Sequence, residues 1–158
     1  MGCKAMDTVT YPDETVADFV TEQFEPVQVH IGEKDPAIRE TIRRYRMLWA
    51  PGYVVFDERG EEVRRFIGYQ PPRDYIAELR IGLGKAHILH RRNDEAFQQF
   101  RAAADLEPPA AVSDEGVYWA GVAIHYRDKT DLEFLHQYWK ELERRFPRSR
   151  WWTAANVF

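Results

Sequence analysis

Cys3 is the only cysteine in the chain, and its thiol offers the clearest chemistry in the sequence. A thiolate is the nucleophile of thiol-disulfide exchange, and the dipole at a helix N-terminus can stabilise it. One cysteine excludes an internal disulfide framework, a thiolate zinc cage and a self-contained dithiol pair within these residues. Taken alone, Cys3 is best interpreted as an ordinary buried cysteine, which packs as a small hydrophobe and is usually inert.

Histidines offer a second kind of chemistry. His87 and His90 lie three residues apart in a predicted helix, a spacing that can direct two imidazoles towards one metal ion, with His125 or His136 as further ligands. No carboxylate or cysteine cluster accompanies the pair, so packed or surface histidines are the better interpretation. The sequence also has no Gly-rich phosphate loop and no Gly-x-Ser-x-Gly elbow. We therefore expect neither a metal site nor a cofactor.

The elements that must position Cys3 are organised around Pro51. Proline cannot donate to a sheet ladder, so it belongs at the start of a strand, here a buried strand over residues 52–56. The preceding helix should end near Met47. Residues 57–60 have the composition of a hairpin turn, and Glu61 to Gly68 supply a second strand.

Two helices and one further strand are predicted ahead of Pro51. Val16, Phe19, Val20 and Phe24 recur at helical spacing, and alternation over residues 27–31 suits a strand with Val27, Val29 and Ile31 on one face. Asp35-Pro36 then opens a helix, with the aspartate as N-cap. The arginines on the opposite face of that helix are interpreted as a solvated surface: Arg39, Arg43 and Arg46.

This order of helix, proline, strand, tight turn, strand and helix, with Ala50-Pro51 at its centre, resembles the second half of a thioredoxin fold. Cys3-Lys4-Ala5-Met6 also resembles the sequence that follows the second cysteine of Cys-x-x-Cys in many thioredoxin-like proteins. The resemblance implies that Cys3 is a catalytic, resolving cysteine. It further implies a cis Ala50-Pro51 bond beside Cys3, and a substrate-binding loop made of Trp49, Ala50 and Pro51.

The family's first cysteine and its N-terminal strand have no counterpart in this alignment. The first cysteine would precede Met1 by one residue. Two interpretations stay open: the sequence is truncated at its N-terminus, or the protein is a degenerate homologue that folds without the strand. In the family this strand lies between the strands at Val27 and Tyr53, so its loss would leave unpaired edges that favour self-association.

Beyond residue 82 the pattern changes to one that resembles a tetratricopeptide repeat. Small residues allow two helices to approach, an aromatic residue fills the cleft, and a proline ends the second helix. The first copy uses Leu83, Gly84, Ala96, Phe100, Ala103 and Pro108, with Asn93 as N-cap. It departs from the family at Arg80, where tryptophan is common, and at His87, where tyrosine is common. A weaker second copy uses Gly121, Leu135, Trp139, Leu142 and Pro147.

The second copy carries its own terminal signals. Thr130 and Glu133 are spaced as a capping box for its second helix. Residues 150–155 begin one more helix, which is either a cap or the start of a further repeat. Because two exposed tryptophans would be a liability, we expect Trp151 and Trp152 to be packed.

Composition limits the function classes. The chain has 158 residues, 44% of them hydrophobic, and a net charge of -4, which argues against a general nucleic-acid binder. No apolar run approaches the roughly 20 residues that a membrane-spanning helix requires. We expect a cytoplasmic protein whose partner is a protein or peptide, either a disulfide substrate or a ligand of the repeats.

Together these patterns predict an α/β thioredoxin-like domain over residues 1–82 that lacks its N-terminal strand. An all-α domain of tetratricopeptide-like helical hairpins follows over residues 83–158. The resemblance implies a thiol-disulfide oxidoreductase family protein with a protein-interaction module. With one cysteine of the pair present, this chain by itself should not turn over. The alternative is a non-catalytic scaffold that binds peptides or proteins.

Overall fold

The computed structural model describes residues 1–30 and 32–156, which form eight α-helices and two β-strands. The chain divides into two compact units. The first unit contains Met1–Val54 and Arg65–Tyr75, and the second contains Val55–Arg64 and the chain from Ile76 onward. The predicted domain boundary at residues 82 and 83 lies within an unbroken helix, α4 (Pro72–Leu89).

The first unit begins with a short helix, α1 (Gly2–Ala5), which continues into a π-helical turn at Met6–Thr10. Met6 and Thr10 are fully buried. The Thr10 hydroxyl donates a 2.6 Å hydrogen bond to the carbonyl of Gln70, and the Gln70 amide lies 3.4 Å from Sδ of Met6. These two contacts fix the N-terminal segment against the chain that follows the hairpin.

Aspartate N-caps open the next two helices, and the second of them, Asp35, is the one that the sequence predicts. Asp13 accepts from the Val16 amide at the start of α2 (Glu14–Gln23). Asp35 accepts a 2.7 Å bond from the Ala37 amide at the start of α3 (Pro36–Arg44), where Pro36 occupies the first turn. The arginines on α3 are exposed, as expected of a solvated face.

The predicted strand over residues 27–31 is wrong as far as the structure describes it. Residues 27–30 have no regular structure, Val27 is 86% exposed, and Ile31 lies outside the described residues. Alternation of apolar and polar residues cannot by itself stabilise a strand, because the backbone groups of a strand need a neighbouring strand for their hydrogen bonds. In the described part of the chain, the only sheet pairs the two later strands with each other.

The hairpin itself forms as predicted, from β1 (Gly52–Phe56) and β2 (Glu62–Ile67). Its turn is stabilised by Asp57, whose Oδ1 accepts from the amides of Arg59 at 2.9 Å and Glu61 at 2.8 Å. Gly60 has a φ of +81°, a left-handed conformation that glycine adopts without a Cβ penalty. Local side-chain chemistry thus determines where the two strands turn.

The second unit is mostly helical, and the hydrophobic faces of its helices form two clusters. The first cluster contains Phe100 and Ala120, and the second contains Trp139 and Leu142. Apart from α4, which enters the unit at Ile76, the helices are α5 (Asn93–Ala104), α6 (Ser113–Asp128), α7 (Leu132–Arg145) and α8 (Arg150–Ala155). Trp151 and Trp152 of α8 pack partly buried against the second cluster, as expected. Within the described residues, no helix combines the length and the apolar character needed to cross a membrane.

Glycines allow aromatic side chains to fill both helical hairpins of this unit. A Cβ atom on Gly84 would lie 2.6 Å from Cδ1 of Phe100, and one on Gly121 would lie 2.6 Å from Nε1 of Trp139. Phe100 is fully buried, and Trp139 is 6% exposed. Real Cβ atoms do not approach other atoms so closely, so each glycine is required by the ring that packs against it.

Two predicted N-caps are wrong by one residue. The helix that begins at Leu132 is capped by Asp131, which accepts a 2.8 Å bond from the Phe134 amide, and Thr130 instead lies 3.3 Å from Nδ1 of His125. Asn93 is the first residue of α5, not its cap. The sequence offered adjacent polar residues at each start, and the path of the entering chain decides which of them is used.

We predict that Gly84→Ala destabilises the helical unit by about 1–3 kcal/mol, because the added methyl group overlaps the buried Phe100 ring. Urea denaturation monitored by circular dichroism would measure this loss. Gly32→Ala is the matched control, since a Cβ there meets no atom within 4 Å. Equal stability of both variants would contradict the close packing of α4 on Phe100.

Candidate functional site

Cys3 lies in α1, and its side chain is exposed. The expectation that Cys3 is buried is therefore wrong. No residue of α1 is buried, and the first fully buried side chain is that of Met6, which follows the helix. The thiol is thus accessible to a reagent or to a partner.

Gly2 places α1 directly against Pro51. A Cβ on Gly2 would lie 2.8 Å from Cδ of Pro51 and 3.7 Å from the amide nitrogen of Tyr69. The Pro51 carbonyl accepts a 2.8 Å hydrogen bond from the amide of Gly68, at the base of the hairpin. The peptide bond between Ala50 and Pro51 is cis. The structure therefore brings the residue next to Cys3 into contact with Pro51, 48 positions later in the chain than Cys3.

The segment ahead of Pro51 presents apolar side chains to solvent. Trp49 is 68% exposed and Leu48 is 89% exposed, while Ala50 is half-buried. Among the described residues, no backbone hydrogen bond engages the amide or the carbonyl of Ala50. A Cβ on Gly52 would lie 2.7 Å from the Trp49 carbonyl oxygen, so the loop turns tightly.

A group of tyrosines beside this site was not predicted from the sequence. The hydroxyls of Tyr11 and Tyr53 lie 3.4 Å apart, and the Tyr75 ring packs edge-on against both, with ring centroids 6.0 Å from Tyr11 and 5.2 Å from Tyr53. Tyr53 also stacks on Phe66 across the strand pair, at 4.6 Å. The aromatic content of β1 was visible in the sequence, but nothing there indicated that Tyr11 would join it.

Burial controls the ionisation of these tyrosines. It is the largest cause of the raised pKa of Tyr11, Tyr53 and Tyr75. A negative charge on Cys3 contributes in the same direction, though less strongly, to the pKa of Tyr11 and of Tyr53.

A second polar cluster, within the helical unit, centres on Arg64 of β2. Its guanidinium donates to Glu78 of α4 at 2.6 Å and to Glu115 of α6 at 2.7 Å, and Lys85 donates to Glu115 at 2.8 Å. The Glu115 side chain is only 3% exposed. Burial raises the pKa of Glu78, whereas for Glu115 the charges and hydrogen bonds of Arg64 and Lys85 outweigh burial and lower the pKa. No pattern in the sequence predicted this cluster, because its carboxylates are 14 and 51 residues from Arg64.

The two histidines singled out for metal binding have other partners. Nε2 of His90 lies 2.9 Å from the Asp57 carboxylate, and Nδ1 of His87 accepts a 3.0 Å bond from Arg92. Arg92 also pairs with Glu58 at 2.9 Å. Burial is the main cause of the lowered pKa of His87. Within the described residues, no group of three or more potential metal ligands comes together.

Comparison with known proteins places the chain in a family. The family model described as a thioredoxin-like domain matches residues 1–82, which are more than half of the 158 residues. The chain therefore belongs to the thioredoxin-like domain family. The matched span contains Cys3, Pro51 and the complete hairpin. No match was found among curated proteins or among solved structures.

The raised pKa of Tyr53 predicts an alkaline pH dependence of stability. Above a pH of about 10, tyrosine ionises in the unfolded chain, whereas the half-buried Tyr53 keeps its proton in the folded chain. Unfolding then releases a proton, so the free energy of unfolding falls as the pH rises. Tyr53→Phe should lose less stability between pH values of about 9 and 11 in urea denaturation. Tyr126→Phe, which removes a more exposed hydroxyl, is the control and should keep the steeper loss.

The exposure of Cys3 predicts rapid modification of the folded chain. Dithionitrobenzoate should release one equivalent of thionitrobenzoate per chain, at a rate within about tenfold of that in urea. Absorbance of the released thiolate gives the rate, and Cys3→Ser should release none. Reaction that begins only after denaturation would contradict the exposed position.

Proposed function

We propose that this protein carries out thiol-disulfide exchange through Cys3 and engages protein partners through its helical unit. The observation that carries the proposal is the exposed Cys3 on a helix whose first residue packs against Pro51. Membership of the thioredoxin-like domain family supports this assignment.

The chemistry at Cys3 is a single exchange step. The Cys3 thiolate attacks one sulfur of a disulfide, a new bond forms between Cys3 and that sulfur, and the second sulfur leaves as a thiolate. No net oxidation occurs in this step. With a first cysteine on the same protein, Cys3 would instead resolve the mixed disulfide and release the reduced substrate. Because Cys3 is the sole cysteine here, this chain alone makes one exchange and then stops.

The substrate segment would lie along Trp49, Ala50 and Pro51. The free amide and carbonyl of Ala50 can pair with an extended backbone, as an added strand does in peptide recognition. The exposed Trp49 ring supplies apolar contact area next to this backbone. A protein or peptide disulfide is therefore the substrate class that we propose.

We further propose that the helical unit is a tetratricopeptide-like module for protein binding. Gly84 against Phe100 and Gly121 against Trp139 are equivalent contacts in two consecutive helical hairpins, which supports an internal repeat. The helix α8 packs its tryptophans on the second hairpin, as a capping helix would. We also propose that the outer edges of β1 and β2 allow self-association, which a monomeric mass in light scattering would contradict.

A non-catalytic scaffold is the second candidate function, and the single cysteine favours it. In that case the Ala50 backbone and the helical unit would bind partners without covalent chemistry. The two candidates differ in one respect: only the first requires the thiol of Cys3.

An extended variant would test the redox proposal. Addition of an apolar strand followed by Trp-Cys ahead of Met1 should create reductase activity towards insulin disulfides with dithiothreitol as the electron donor. The unextended chain should lack this activity, because a dithiol cycle needs two cysteines. Insulin turbidity measures the rate.

Cys3→Ser in the extended background is the control. Without the resolving thiol, this variant should stall as a mixed disulfide with its substrate, visible on a non-reducing gel. An extended protein that is folded but no more active than dithiothreitol alone would refute the redox proposal and leave the scaffold function.

A further inference from the structure

Arg64 bonds to one glutamate on α4 and one on α6, and these two glutamates occupy equivalent positions in the helical repeat. Glu78 precedes Gly84 by six residues, and Glu115 precedes Gly121 by six residues. The two glutamates therefore occupy the same position in the first helices of the two hairpins. Both carboxylates accept hydrogen bonds from the guanidinium of Arg64, and Nη2 also lies 2.6 Å from Oε2 of Glu78.

The two carboxylates form a site that suits a flat cation, and Lys85 and Trp119 border this site. Lys85 bonds to Oε1 of Glu115 and lies 5.3 Å from the centre of the Trp119 ring. A guanidinium presents several N–H donors in one plane, so it can bond to two carboxylates at once in a way that an ammonium group cannot. With Arg64 removed, Glu78 would lose its partner, while Glu115 would keep only Lys85.

Polar contacts join hairpin residues 55–64, which include Arg64, to the helices of the second unit. Asp57 bonds to His90 and Glu58 pairs with Arg92, in addition to the bonds of Arg64. Burial of apolar side chains contributes through Val55, whose Cγ1 would lie 3.3 Å from a Cβ on Gly82. Complementary charges set which partner an interface accepts, and a guanidinium from another chain has the same complementarity to these two carboxylates as Arg64 has.

We propose that Glu78 and Glu115 form an arginine-binding site on the helical repeat, and that the chain's own hairpin fills this site with Arg64. The ligand class follows from the occupant: an arginine side chain on an extended segment. The helical unit is thus closed on this face by an internal ligand, and a partner protein gains access by presenting an arginine in place of Arg64. This inference rests on the proposed protein-binding role of the helical unit and is independent of the chemistry at Cys3.

Peptide binding to a variant with an emptied site tests the proposal. A fluorescent peptide of residues 61–68 carries the native strand, and a second peptide has alanine at position 64 but keeps Arg65. In fluorescence anisotropy, Arg64→Ala should bind the arginine peptide at least about tenfold more tightly than the alanine peptide. The wild-type chain should bind the arginine peptide at least about tenfold more weakly than Arg64→Ala does, because its site is occupied.

Further variants identify the binding residues and address folding. Glu78→Gln combined with Arg64→Ala should remove the preference for the arginine peptide. If circular dichroism shows that Arg64→Ala is unfolded, Arg64→Met takes its place, since methionine keeps much of the stem and leaves the head of the site empty. Methylguanidinium should then raise the Tm of Arg64→Met more than methylammonium does, with no such difference for the wild type.

The proposal fails if the emptied variant binds the two peptides equally, or if the wild-type chain binds the arginine peptide as tightly as the variant does. Equal effects of methylguanidinium and methylammonium on Arg64→Met would also overturn it. None of these measurements uses the thiol, so failure here would leave the proposed exchange at Cys3 untouched.

Discussion

One guanidinium joins three elements of the helical unit. Arg64 extends from β2 and satisfies carboxylates from α4 and α6, with Lys85 sharing the more buried of the two. Charged groups that leave water are costly unless each one is paired and hydrogen-bonded. Loss of Arg64 would leave the Glu78 carboxylate without its guanidinium partner and Glu115 with Lys85 alone. The attachment of hairpin residues 55–64 to the helices depends on this balance.

Close packing of the helices is the second constraint, and it depends on residues that have no Cβ atom. Gly84 and Gly121 have no Cβ, so Phe100 and Trp139 can fill the space between the helices of each hairpin. The first cluster also contains several buried alanines, whose small side chains allow helices to approach closely. The Trp139 indole N–H donates a 2.9 Å bond to the Tyr118 carbonyl, so the larger aromatic residue keeps its polar atom satisfied.

The first unit uses a similar constraint for a different purpose. Gly2 allows the backbone of α1 to contact the Pro51 ring, and the neighbouring thiol of Cys3 lies exposed at the surface. Thr10 and Met6 anchor the same segment through Gln70. The hairpin that starts at Pro51 also carries Arg64, so one short element of sequence contributes to both the thiol site and the polar cluster of the helical unit.

Several features could be predicted because they depend on neighbours in the sequence. Asp57 bonds to amides only two and four residues away, so the hairpin turn was visible from its residues. The resemblance to a tetratricopeptide repeat, and not a local pattern, predicted that Gly84 and Phe100 would meet between two helices, as they do. The strand over residues 27–31 could not be predicted in the same way, because alternation does not reveal whether a pairing strand exists.

Hydrophobic spacing and turn residues act over a few positions, so the main helices and the hairpin could be located from the sequence. The exposure of Cys3, the contact of Tyr11 with Tyr53 and the bonds of Arg64 to Glu78 and Glu115 depend on tertiary packing. Those partners are separated by 42 residues for the tyrosines and by 14 and 51 residues for Arg64. A charge or a hydroxyl carries no local signal of its distant partner, since the pairing depends on how the intervening elements pack.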